Sequence, residues 1–138
     1  MAYDTNLVLH DGTTITADIT PTSTTRVSGS AVIDLQKTPA EGLSVVMTLN
    51  ADLAESGDTM QVYLEESNTV GSGYTSVGIF PLVTQGGDVP ERHLIKIVVK
   101  RQFVRARIDI TDADAGSDFS LASVNILLAS ASQHGVYV

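Results

Sequence analysis

Apolar and polar residues alternate with a period of two along most of this chain, and β-branched residues dominate the apolar set. That is the pattern of half-buried β-strands. It predicts strands over Asn6–Leu9, Thr13–Ile19, Ala31–Leu35, Leu43–Leu49, Thr59–Glu66, Ser76–Leu82, His93–Val99, Phe103–Thr111 and Phe119–Ala129. Turn signals separate them: Asp11-Gly12, Ser28-Gly29, Ser56-Gly57-Asp58, Gly71-Ser72-Gly73, Gly86-Gly87-Asp88 and Ala115-Gly116-Ser117. Helical character is limited to a single turn over 50–55. Short strands joined by long, irregular connections predict an all-β fold, a two-sheet β-sandwich of jelly-roll type with eight or nine strands. No internal repeat and no linker divides the chain, so residues 1–138 are expected to form a single domain.

Two of these strands carry the most information. In Phe103–Thr111, Val104, Ala106, Ile108 and Ile110 share the expected core face. Phe103, Arg105, Arg107 and Asp109 point the other way, toward solvent or a partner. In His93–Val99, Ile95, Ile97 and Val99 lie on one face and Leu94, Lys96 and Val98 on the other. With Lys96 the lone polar residue on that second face, the strand reads as central or covered. Residues 20–29, almost free of apolar side chains, read as an exposed loop or arm. Residues 130–138 read as a tail whose apolar end, Val136-Tyr137-Val138, is expected to dock.

Composition narrows the function. The chain has 138 residues, no Cys and a formal net charge of −8. Lack of Cys excludes disulfides, thiolate metal sites and a cysteine nucleophile. The acidic balance argues against a nucleic-acid binder. No apolar run is long enough to span a bilayer, and no signal peptide is visible in Met1-Ala2-Tyr3-Asp4, so no membrane association is expected. Charged residues are 17% of the chain, while 13 Ser and 15 Thr supply the polarity. A polar but weakly charged surface is less costly to desolvate, which suits lasting contact with other subunits. Charge is also unevenly placed. Six of the eight Lys/Arg, namely Arg92, Lys96, Lys100, Arg101, Arg105 and Arg107, fall in a stretch with no Asp or Glu. Either this is a basic face for an acidic partner, or acidic loops of the same fold neutralise it.

A search for chemistry finds little. Asp112-Ala113-Asp114-Ala115-Gly116 has the spacing of a calcium loop, but the twelfth position is Ser123 rather than Glu, and strands flank it. A plain hairpin loop is expected there. His10, His93 and His134 are scattered, without metal-ligand spacing. No Gly-x-Ser-x-Gly elbow and no phosphate-binding glycine loop occurs. Glu65 and Glu66, adjacent on a strand, face opposite ways and cannot act together as acid and base. The expectation is a protein that is not an enzyme, with no catalytic residues, no metal and no cofactor, whose function lies in its surfaces.

The order of segments resembles the small jelly-roll cement (decoration) proteins of tailed bacteriophage capsids. The matching pieces are Tyr3-Asp4-Thr5-Asn6-Leu7-Val8-Leu9 before an Asp-Gly turn, then a Thr/Ser-rich passage into Ala31-Val32-Ile33-Asp34-Leu35. Leu43-Ser44-Val45-Val46-Met47 follows, then Val62-Tyr63-Leu64-Glu65-Glu66-Ser67 before a Gly-rich tip. Phe103-Val104-Arg105-Ala106-Arg107-Ile108, an Asp/Gly loop and a final apolar strand ending near Ala129 complete the set. The chain departs from the family pattern at Thr14-Ile15-Thr16-Ala17. The resemblance implies a virion structural protein on the outer capsid surface. It would bind the major capsid protein at subunit junctions as a homodimer or homotrimer and stabilise the shell. Arg26, Arg101, Arg105 and Arg107 are the expected capsid-binding residues, since Arg grips carboxylates bidentately. Reversing the charge of Arg105 and Arg107 is expected to weaken attachment and leave the fold intact. Two other readings stay open: a head–tail or tail subunit, and a carbohydrate-binding sandwich using Tyr74 as a stacking ring.

Overall fold

A computed structural model describes residues 7–36, 42–87, 89–114, 116 and 118–130. Among the described residues nine strands form: β1 (Val8–Asp11), β2 (Ile33–Asp34), β3 (Leu43–Leu49), β4 (Thr59–Ser67), β5 (Thr75–Ile79), β6 (Val83–Thr84), β7 (Glu91–Ile97), β8 (Phe103–Thr111) and β9 (Val124–Ser130). One antiparallel sheet has the order β1-β9-β3-β7. The other has the order β2-β8-β4-β5, with β6 also against β4.

β5 and β6 pair successive stretches of β4, so they act as one edge strand with a kink. The kink falls at Phe80-Pro81-Leu82, where Pro81 has no N–H for the ladder. Phe80 keeps the pairing through its N–H to the Val62 carbonyl and buries its ring. Counted this way there are eight strands, paired first with last, second with seventh, third with sixth and fourth with fifth. A hairpin ribbon rolled up in this nested manner is a jelly roll.

The core lies between the sheets, where the period-two sets meet. Val45 and Met47 of β3 and Ile126 of β9 face Met60, Val62 and Leu64 of β4 and Ala106 and Ile108 of β8. Each large side chain fully withdrawn from water stabilises the fold by about 1.5–3 kcal/mol.

The strands β3 and β8 match their expected bounds. The differences elsewhere have physical causes. Thr13–Ile19 is a crossing rather than a strand. Ile15 exchanges two backbone hydrogen bonds with Leu121 on one side, and Ile19 exchanges two with Ile108 on the other. The apolar alternation there marks two anchor points, not a ladder. Phe119 and Leu121, expected as the start of the last strand, are likewise buried loop anchors ahead of β9.

The strand expected to be central or covered is an edge. β7 pairs with β3 alone among the described residues. Its Ile97 is buried, but Leu94 is 41% and Val98 beyond its end 66% exposed. Apolar content on both faces reflects one core face and one uncovered face.

Residues 20–29 are a mostly exposed loop, as expected, and are fastened to the body rather than extended as a free arm. The Pro21 carbonyl accepts from Arg105, and the Ser23 carbonyl accepts from the Val32 N–H. Val27 and Ser30 close a two-residue turn whose tip, Ser28-Gly29, has φ of 51° and 84°. Such a turn requires the left-handed region at both positions. A Cβ on Gly29 would also lie 2.6 Å from the Thr13 Cβ, so the close approach needs glycine. The tail's apolar end, Val136-Tyr137-Val138, lies outside the described residues.

Candidate functional site

Registry of β8 against β4 assembles a charged cluster on the outer face of the five-stranded sheet. Arg105 stands opposite Glu65, and Arg107 opposite Tyr63. The Arg105 Nε–H donates to Glu65 Oε1 at 2.9 Å, and the Arg107 Nε–H donates to Oε2 at 3.3 Å. Arg107 also donates to Asp109. A further N–H of Arg105 donates to the Pro21 carbonyl at 2.9 Å. The two guanidinium groups stack over rings, Arg105 at 3.7 Å from the Tyr74 centroid and Arg107 at 4.1 Å from that of Tyr63. Arg105 is 8% and Glu65 7% exposed. A charge so withdrawn is tolerated only when paired and hydrogen-bonded, and here it is.

This geometry changes the meaning of the arginines. Arg105 offers almost no surface to a partner, because it ties β8 to β4 and both to the 20–29 segment. Reversing Arg105 and Arg107 would set two new carboxylates beside Glu65 and Asp109, four in one cluster with Glu65 nearly buried, so the expected intact fold does not follow. Tyr74, considered as a sugar platform, has one ring face occupied by Arg105, and its hydroxyl donates to the Val70 carbonyl.

Arg26 is also engaged within the chain. Its guanidinium donates to the carbonyls of Gly29 and Val8, linking the turn to β1. Arg101 is half-buried in the connection between β7 and β8, next to Lys100. The backbone N–H groups of both donate to Glu66 Oε2, at 2.7 Å from Lys100 and 3.1 Å from Arg101. Glu65 and Glu66 thus diverge as alternation requires, Glu65 to a side-chain cluster and Glu66 to a turn. Neither role was readable without knowing which strands pair.

Two other polar groupings exist. Buried His10 accepts from the Ser30 hydroxyl at Nδ1 (2.7 Å) and approaches the Thr13 carbonyl with Nε2 (2.8 Å). A carbonyl only accepts, so Nε2 carries the proton and the tautomer is fixed. Burial holds the His10 pKa below its ordinary 6.5. Ser30 also lines a hollow of about 200 Å³ bounded by Thr20, Pro21, Ser23, Thr25 and Ser28. Ser30 is itself only 1% exposed, and the group holding His10 is a main-chain carbonyl. The pair ties β1 to the turn that follows residue 27.

At the end of the sandwich bearing the 50–58 and 112–118 loops, ligand atoms of Glu55, Asp114 and Asp118 lie within 4.8 Å of one another. A hydrogen bond shared with Asp114, together with the charges of Asp114 and Asp118, pushes the Glu55 carboxyl up to about 7. Asp112 turns inward on its own loop, accepting from the N–H groups of Asp114, Asp118 and Phe119. Glu55 comes from a distant segment, which the spacing of the loop alone did not reveal.

The remaining feature is the open edge. On the outer face of the four-stranded sheet, Val8, Leu127, Val46 and Leu94 stand in one register row across all four strands. The row is half-buried at β1 and β9, buried at β3 and exposed at β7. Flanking Leu94 on β7 are exposed Arg92 and Lys96, and beyond the strand come exposed Val98 and Lys100. Among the described residues, Arg92, Lys96, Lys100 and Arg101 have no ion-pair partner. The basic stretch therefore divides in two among the described residues: Arg105 and Arg107 are neutralised by Glu65 and Asp109, and the other four cations have no described acidic partner. A scan against protein-family models, a search of curated proteins and a search of solved structures each find no match.

Proposed function

We propose that this chain is a structural protein of a tailed-phage virion that binds the outer surface of the capsid at subunit junctions and stabilises the shell. The observation that carries the reading is the division of charge. Arg26, Arg105 and Arg107 are tied into the fold, while β7 and its continuation present Arg92, Leu94, Lys96, Val98 and Lys100 outward. A rigid sandwich with one uncommitted basic and apolar edge suits attachment to a protein surface. The resemblance of the segment order to capsid cement proteins supports a capsid as that surface. A dimer or trimer of the chain would multiply a weak contact at local symmetry axes of the shell.

Purified protein should co-sediment with parent capsids stripped of it, saturating at scores to hundreds of copies and raising the temperature at which the shell fails. Failure to bind would overturn the reading. Saturation at about a dozen copies would transfer it to a vertex or head–tail position, where symmetry restricts the number of sites.

A further inference from the structure

We infer that β7 is a docking edge that takes an extended segment of a partner protein as an added strand, and that this segment alternates acidic with apolar residues. The inference concerns the surface and the chemistry of its occupant, and it stands whether or not the partner is a capsid subunit.

Three observations lead to it. First, β7 has an unpaired backbone edge, since β3 is its one neighbour among the described residues. Second, the edge is long and regular: all seven residues keep register with β3 without a bulge. Proteins usually blunt such edges with short strands, bulges or proline, because a free edge templates strand addition. Third, the exposed face alternates base and hydrocarbon, Arg92, Leu94, Lys96, Val98 and Lys100. Charges placed only to repel other strands would not need Leu94 and Val98 uncovered beside them.

Side chains directly opposite across an antiparallel pair interact strongly enough to select sequence. An added strand would set its outward side chains beside Arg92, Leu94 and Lys96. Carboxylates fit the first and third positions, and an aliphatic group fits the second, extending the Val8–Leu127–Val46–Leu94 row by one strand. A second copy of β7 would bring Arg92 and Lys96 against their own like charges, which disfavours self-pairing. Main-chain hydrogen bonds would supply affinity and the charge pattern selectivity, as in other strand-addition sites.

The test is an NMR titration of the isotope-labelled full chain with a capped octapeptide alternating Glu and Val, at millimolar concentration. A Lys–Val octapeptide serves as the control. The Glu–Val peptide should slow amide exchange in residues 91–97, and added salt should weaken it. The Arg92→Glu/Lys96→Glu variant should lose about tenfold or more in affinity for it. The same variant should gain affinity for the Lys–Val peptide, with an unchanged urea midpoint. The inference fails if β7 amides stay unprotected, if protection appears elsewhere, or if both peptides bind wild type equally. It fails too if the free protein self-associates through β7, seen as concentration-dependent sedimentation with β7 protected before any peptide is added.

Discussion

At the residue scale, Glu65 is the hub of the charged cluster, and its neighbours differ in how far they depend on it. Removing Glu65 leaves nearly buried Arg105 with no carboxylate partner and Arg107 with Asp109 alone; removing Arg105 leaves Glu65 still paired with Arg107. Breaking a buried pair costs about 3–5 kcal/mol. Urea midpoints should therefore order Glu65→Ala below Arg105→Ala, and Arg105→Ala below Arg107→Ala, whose side chain is 28% exposed. Two titrating groups act in opposite directions. Glu55 has a folded pKa of about 7 against an ordinary 4.5, so the folded chain holds more protons than the unfolded one between those values. Its contribution to stability is whole below about 4.5 and is lost as pH rises through 7. Glu55→Gln should remove that loss, raising Tm at alkaline pH relative to wild type more than at acid pH. His10 works the other way. Its folded pKa is depressed, so the unfolded chain takes up the proton first, and stability falls as pH drops below 6.5. His10→Gln should flatten the part of the Tm–pH profile just below 6.5 while lowering Tm at neutral pH, where the Ser30 bond is lost.

At the element scale, the two edges on one side of the sandwich lock together at Gly78. A Cβ there would lie 2.9 Å from Ile97 Cγ2 and 3.2 Å from Ile95 Cδ1, joining β5 to β7 across the two sheets. Gly78→Ala should cost about 1–3 kcal/mol by overpacking, and Ile95→Val in the same chain, which removes the crowding Cδ1, should recover part of it in a double-mutant cycle. This scale also shows how much the sequence conveys. Period two places Val104, Ala106 and Ile108 inward without any knowledge of neighbours, and the bounds of β3 and β8 follow from it. It says nothing about which strand lies beside which. Hence the Arg105–Glu65 pairing, and with it the internal role of an arginine that reads as a docking residue, stays invisible along the chain. The edge position of β7 is hidden for the same reason: Leu94 looks alike on a covered strand and on an uncovered one. Glu55 beside Asp114 is a contact between distant loops, which local spacing does not encode.

At the scale of the whole molecule, attachment and stability should separate by location. Arg105 variants are expected to lose shell binding only in step with their loss of folded protein. Arg92→Glu/Lys96→Glu should lose binding with Tm unchanged, measured by co-sedimentation beside thermal melts of the same samples. The nested pairing of the jelly roll has a further consequence, for the order of assembly. Val8 stands in register with Leu127, and β3 lies between β7 and β9. During synthesis the first strand must wait for nearly the entire chain before its partner exists, and non-local pairing of this kind makes folding slow, about milliseconds to seconds. A ribosome stalled before residue 124 would hold a nascent chain in which β1 has no sheet partner and β3 has β7 but not β9. Protease should digest that chain readily and spare one whose residues 124–130 have left the tunnel, so emergence of β9 is the step that closes the sandwich.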